Sequence, residues 1–276
     1  GTWQVGDPAG DAYRGLNYAG TVIDGNYSAN VNSRLIRHTS FVVPAAAQEP
    51  RLRFWQWFSI SNGDQGRVQI KTQNGNWETI SPTYANTGSN TWTRPSIDLS
   101  AYADSTVQIA FYFTSDASGF TVSSGWFIDD IEIVTGATVF NNPENWESGL
   151  GDWFTDRGTW EVGIVPDSIA FEGNYYAATV INGNYHANVA SRLTSPYFLV
   201  PSIPENPRLR FWHWFSFSSG DQGIVQIKTK HGSWTNLSNP FVNTSGGVWT
   251  TGFFDLSAYA DSTVQIGFYF TSDASG

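Results

Sequence analysis

The chain has 276 residues, a formal net charge of -10 and a pI near 4.7; so acidic a surface repels phosphate and excludes nucleic acid as a partner. It contains no cysteine, which excludes disulfides, thiolate metal sites and cysteine nucleophiles. Aromatic residues make up 16% of it and charged residues only 14%, the opposite of a disordered chain, so a packed protein is expected.

Aromatic and β-branched runs between Gly, Asn and Ser clusters predict an all-β protein. In chain order, RLRFWQWFSI (51–60) is a strand with large residues on both faces, expected at the centre of a sheet. NGDQG (62–66) is predicted as a hairpin turn leading into GRVQIKTQ (66–73), where Val68, Ile70 and Thr72 share a face. TVQIAFYFTS (106–115) directs Val107, Ile109, Phe111 and Phe113 inward. GWFIDDIEIV (125–134) places Phe127, Ile131 and Ile133 on one face, with Asp129 among them. No segment has a helical period, and no apolar run reaches the roughly 18 residues of a membrane-spanning helix.

The second half repeats the first. DLSAYADSTVQIAFYFTSDASG (98–119) returns at 255–276 with only Ala110 changed, to Gly267. PRLRFWQWFSISNGDQGRVQIKT (50–72) returns as PRLRFWHWFSFSSGDQGIVQIKT (207–229), and GTWQVG (1–6) as GTWEVG from Gly158. The offset is 157 residues over most of the length and 158 near residue 170. A period that long is a whole domain, not a solenoid turn of about 20–50 residues. Residues 120–157 occur once.

NWESGLGDWFTDRGTWEVG (145–163), GNYHANVASRLTSPYFLV (183–200), PRLRFWHWF (207–215), DLSAYADSTVQIGFYFTSD (255–273) and GWFIDDIEI (125–133) resemble, in that order, the MAM-like jelly-roll domains of the choice-of-anchor J group. Such modules follow secreted immune-inhibitor-A-type peptidases and occur in surface proteins. The resemblance implies two tandem antiparallel jelly-roll β-sandwich domains. A module of this kind opens near NWESGLGDW and closes with GWFIDDIEI, so residues 1–137 form a first repeat lacking its first strand, and 141–276 a second lacking its last. A longer array of repeats is expected, and the absence of Met fits a processed or partial chain.

The same resemblance implies a structural Ca²⁺ near the first and last strands, with Asp129, Asp130 and Glu147 as its carboxylates. The competing account is that these groups accept backbone N–H groups at the sheet margin. Trp55 and Trp57, like Trp212 and Trp214, share a strand face, where core packing is favoured over a carbohydrate platform. Trp77, Trp92, Trp234 and Trp249 lie in turn-rich segments and are the candidates for sugar or subunit contact. Asp64 and Asp221 sit between glycines, where turn chemistry accounts for them ahead of loop Ca²⁺ ligation.

None of the four histidines, His38, His186, His213 and His231, has a histidine at its repeat counterpart, so no site shared by both repeats uses them. No His-Glu-x-x-His, Gly-x-Ser-x-Gly or phosphate loop is present. Asp130 and Glu132 lie two apart on a strand, and nothing else supports a glycosidase pair. The sequence therefore reads as a non-enzyme: a secreted or cell-surface structural or adhesive protein whose partners are its own copies or neighbouring repeats. The alternatives are a polysaccharide-binding module pair and an accessory domain of a secreted peptidase.

Overall fold

The computed structural model describes the chain apart from residues 1, 8, 9, 11, 89, 119–121, 165–169 and 276. It forms two units, residues 1–137 with 156–158 and residues 138–155 with 159–276. Both are antiparallel β-structures, and among the described residues the only helices are single 3-10 turns between strands.

The strands of unit 1 are β1 (Gln4–Gly6), β2 (Tyr18–Gly20), β3 (Asn32–Ile36), β4 (Phe41–Val42), β5 (Arg51–Ile60) and β6 (Gln65–Thr72). They continue with β7 (Glu78–Thr79), β8 (Asn86–Thr87), β9 (Ser96–Asp98), β10 (Thr106–Thr114) and β11 (Gly125–Val134). One sheet runs β1-β2-β11-β5-β8, with β9 also on β5; the other runs β3-β10-β6-β7, with β4 on β10. The core lies between them. Leu52, Phe54 and Phe58 from β5 meet Val68 and Ile70 from β6, and Val107, Ile109, Phe111 and Phe113 from β10. The inward alternation expected of β10 is present because side chains of a strand alternate with period two. Phe54 meets Phe111 edge-to-face at 5.0 Å, and Tyr27 meets Phe113 at 4.8 Å.

Two expectations fail here. NGDQG is not a hairpin: β5 and β6 belong to different sheets, so Gly63, at φ 92°, turns the chain across the core. The face assigned to β11 also fails. Trp126 and Ile128 are the core residues, 0% and 1% exposed, and Phe127 lies on the opposite face. A register shift between Asp129 and Glu132, with Asp130 at φ 43°, then reverses the parity. Ile133 therefore packs against the core while Ile131 is exposed.

Unit 2 contains β12 (Phe154–Thr155), β13 (Glu161–Gly163), β14 (Tyr176–Ala178), β15 (Ala190–Thr194) and β16 (Phe198–Leu199). They are followed by β17 (Arg208–His213), β18 (Gln222–Thr229), β19 (Thr235–Asn236), β20 (Thr250–Asp255) and β21 (Thr263–Thr271). The sheet β12-β15-β21-β18-β19, with β16 on β21, matches the second sheet of unit 1 and adds β12 at its edge. The other sheet is split into two pairs, β13-β14 and β17-β20. Pro95 has no amide hydrogen and interrupts the ladder beside β5, whereas its counterpart Gly252 lets β20 pair with β17 over six residues. The smaller core of unit 2 centres on Val200, Val225, Ile227, Leu256, Val264 and Ile266.

Candidate functional site

β5 alternates. Phe54, Gln56 and Phe58 point to the core, so Trp55 and Trp57 stand on the outer face of the sheet. Tyr13 stacks on Trp55, with centroids 3.6 Å apart and planes 17° apart. Trp92 meets Tyr13 at 6.2 Å and Tyr18 at 6.1 Å. Tyr18 meets Phe127 edge-on at 5.4 Å, and Phe127 meets Trp57 at 4.6 Å. The Arg94 guanidinium lies 5.6 Å from the Trp55 ring. Burial is the main cause that pushes the Tyr13 hydroxyl above its ordinary value, opposed by Arg14. The result is a continuous aromatic layer outside the core.

Unit 2 builds the same layer with less cover. Phe171, at Tyr13's position, stacks on Trp212 at 3.7 Å and 16°, and Trp249 meets Phe171 and Tyr176 edge-on. Glu172 and Thr251 replace Arg14 and Arg94, so both cations are gone. Trp212 is 46% exposed and Trp214 51%, which corrects their expected place in the core. The outer-facing rings Trp55 and Trp57 are half-buried in unit 1, where Tyr13 and Phe127 lie against them.

The remaining tryptophans expected at contact sites are half-buried and covered. Arg34 lies between Tyr112, at 4.0 Å, and Trp77, at 5.7 Å, with Lys71 also over Trp77. Arg192 repeats this between Tyr269 and Trp234, each 4.6 Å away, with Lys228 over Trp234. The Nε of each arginine donates to a glutamine, Gln69 or Gln226. These cations occupy ring faces that a sugar would need. Trp92 and Trp249 belong to the outer layer described above.

The carboxylates assigned to Ca²⁺ are each committed locally. Asp129 accepts the amides of Arg14, at 3.1 Å, and Asp130, at 2.8 Å. Arg14 Nε lies 3.7 Å from Asp130 in an exposed pair of the kind that contributes little. Glu147 is not on the opening strand but in the turn before it, and its Oε1 accepts the amides of Asn174 and Tyr175 at 2.8 and 2.9 Å. Those two amides hold its carboxyl below the usual range. Asp129 and Asp130 belong to unit 1 and Glu147 to unit 2, and among the described residues no three His, Cys, Asp or Glu side chains form an ion site.

Asp64 is buried at 4% exposure and structural in its contacts: it accepts the Tyr27 hydroxyl at 2.6 Å and the Asp116 amide at 2.8 Å. Asp221 accepts the Asp273 amide in the same way. Of the histidines, His213 lies among Phe211, Phe215 and Phe241, and burial lowers its affinity for a proton.

No protein-family model matches the chain. A segment covering 51% of the chain is 31% identical over 151 residues to Bacillopeptidase F of Bacillus subtilis (strain 168). That segment spans 10% of the peptidase. A tandem CBM22 pair from Paenibacillus barcinonensis Xyn10C aligns over 99% of this chain and 84% of that one, at 14% identity and a TM-score of 0.31. The Endo-D glycoside hydrolase domain of Streptococcus pneumoniae R6 aligns over 94% of this chain and 36% of that one, at 12% identity and a TM-score of 0.33. Likeness at that level adds nothing to the chemistry of the site.

Sequence reasoning missed Tyr13 and Phe171 as partners of the strand tryptophans. It also missed the arginine–aromatic stacks on the other sheet. A signal for the stacks was present: Arg34, Trp77 and Tyr112 return as Arg192, Trp234 and Tyr269.

Proposed function

We propose that the chain is a pair of non-catalytic β-sandwich modules of an extracellular protein, acting by surface contact in a structural or adhesive role. The observation that carries this is the outer aromatic layer, built twice on equivalent strands. Near-identical modules offer equivalent surfaces, and equivalent surfaces make regular contacts. Aromatic side chains are the groups most enriched where protein surfaces meet. The identity with part of Bacillopeptidase F supports a place beside a peptidase as one setting for such modules, in keeping with the MAM-like resemblance. Negative-stain imaging of the native material tests the assembly role: fibres or sheets are expected, and monodisperse particles at every salt and Ca²⁺ concentration would refute it.

A second function is favoured by one feature of unit 2. The stacked pair Phe171 and Trp212 is nearly half exposed, at 45% and 46%, and aromatic faces pack well against sugar rings. Retention on insoluble polysaccharides, lost on Trp212→Ala with the fold intact, would establish it.

A further inference from the structure

We propose that the outer face of the arginine-bearing sheet in each unit binds a polysaccharide whose sugars carry carboxylates, received by Arg34 and Lys71 in unit 1 and by Arg192 and Lys228 in unit 2. This face belongs to the sheet opposite the outer aromatic layer, so the inference does not rest on the Phe171–Trp212 pair.

The strand register fixes what the face carries. Arg34 and Arg67 flank Tyr112 in the β3-β10-β6 ladder, and Lys71 lies opposite Gln108. Directly opposed residues of an antiparallel pair share a face. Tyr112 alternates with the core residues Phe111 and Phe113, so that face is the outer one. In unit 2 Arg192 and Ile224 flank Tyr269, and Lys228 lies opposite Gln265. The chain has 24 Asp and Glu against 14 Lys and Arg, yet no residue of β3, β6, β10, β15, β18 or β21 is acidic. Among the described residues no carboxylate forms an ion pair with Arg34, Arg67 or Lys71. Cations without acids on one face of an acidic chain complement an anionic partner.

The cations are held in place. Arg34 Nε donates to Gln69 Oε1 at 2.8 Å, and the guanidinium lies over Tyr112 at 4.0 Å. The edge that carries both Nη groups has no acceptor among the described residues. Parallel N–H donors on a planar fork match a carboxylate, and a fork already fixed loses little freedom on binding. The Gln69 amide nitrogen and the Lys71 ammonium also have no acceptor there. These open groups are all donors, so the ligand must bring the acceptors.

Like charges also crowd one ring. Arg34 and Lys71 lie 5.7 and 5.2 Å from the Trp77 centroid, and Arg192 and Lys228 lie 4.6 and 5.0 Å from that of Trp234. Burial, and then Arg192, lower the affinity of Lys228 for its proton. A carboxylate beside the two cations offsets that repulsion. The groups that bar a sugar from stacking on these rings are the ones that receive its acid. Lysine is depleted at protein–protein interfaces, which favours a charged polysaccharide over an acidic protein surface.

The two sites differ in strength. Ala110 and Gly267, the one difference between 98–119 and 255–276, lie on this face opposite Gln69 and Gln226. A Cβ on Gly267 would lie 2.5 Å from Arg192 Cδ and 2.9 Å from the Trp234 ring, so glycine lets both settle onto the sheet. Gln226 Nε2 donates to Asn236 Oδ1 at 2.9 Å, whereas Thr79 stands at that position in unit 1. Ile224 stands where unit 1 has Arg67. Unit 1 therefore offers more donors and binds more tightly.

The test titrates the full chain with polygalacturonate by calorimetry at low ionic strength, with neutral pullulan and polyglutamate as comparisons. Polygalacturonate should bind, more weakly as salt rises, and pullulan should not. Lys71→Gln should weaken binding about tenfold and Lys228→Gln less, with melting temperatures as the check on folding. Arg34→Lys keeps the charge but not the fork and should also weaken it. In the unaltered chain, polygalacturonate should slow acetylation of Lys71 and Lys228, a readout that needs no variant. Absence of binding, unchanged acetylation, or full affinity in the Arg34→Lys, Lys71→Gln double variant would overturn the proposal. Equal binding of polyglutamate would overturn the choice of polysaccharide. Trp212→Ala should bind polygalacturonate as the parent chain does, and a loss there would overturn the choice of face.

Discussion

Trp126→Ala is the sharpest test of how β11 holds unit 1 together. The indole is fully buried, with Trp3, Tyr84 and Phe111 at 5.9, 5.2 and 5.5 Å. Truncating a buried tryptophan costs about 3–5 kcal/mol through lost transfer energy and the cavity left behind. The Gln56 oxygen also loses its indole donor in a site with 0% exposure, a further cost of about 1–3 kcal/mol. Even allowing for overlap between the two, a loss of about 4 kcal/mol or more is expected. That is a large fraction of the net stability of a small domain, about 5–15 kcal/mol. At about 4 °C per kcal/mol, the unit 1 transition should fall by roughly 15 °C. Trp126→Phe removes the donor and part of the ring but leaves a smaller cavity than Trp126→Ala, so a loss between about 1–3 kcal/mol for the bond alone and that of Trp126→Ala is expected. Calorimetry combined with exchange over 51–60 and 208–213 assigns the transitions. A cost below about 1 kcal/mol for Trp126→Ala, or an equal shift of both transitions, would refute the reasoning.

Tyr27→Phe should destabilise unit 1 by about 1.5–3 kcal/mol, because the buried Asp64 carboxylate loses the hydroxyl that donates to it; urea denaturation measures this. Burial, and then the bond to Asp64, push the Tyr27 hydroxyl up to about 12. The unfolded chain ionises first, so unit 1 should lose stability as pH rises above about 10, and less of it in Tyr27→Phe; alkaline melts read this. His213 has the opposite sign. Burial holds it neutral in the folded state, so the unfolded chain gains a proton first and unit 2 should weaken as pH falls below about 6.5. His213→Gln should flatten that slope in melts from pH 7 to 5. EDTA should leave both transitions where they are, since among the described residues no three His, Cys, Asp or Glu side chains form an ion site and Asp129 and Glu147 each accept backbone amides. A fall in melting temperature restored by Ca²⁺ would show a bound ion.

Much of the architecture was legible because its causes are local. The alternation of β10, the large residues on both faces of β5 and the repeat itself depend on letters a few positions apart or on direct comparison of the halves. The outer layer was half legible: Trp55 and Trp57 were seen to share a face, but Tyr13 reaches Trp55 from 42 positions away. No spacing rule predicts such a contact.

By itself the sequence determined an all-β chain made of one module twice, and which residues of β6 and β10 face a core, because strand geometry alternates with a period of two. Only the tertiary structure decided that 62–66 crosses between sheets, that a bulge at Asp129–Glu132 turns Ile131 outward, and which tryptophans are exposed. RLRFW occurs in both halves, yet its rings are half-buried or buried beside β11 and more exposed on β17. Burial belongs to the neighbouring strand, and a neighbour is set by pairing across the fold, not by the letters it covers.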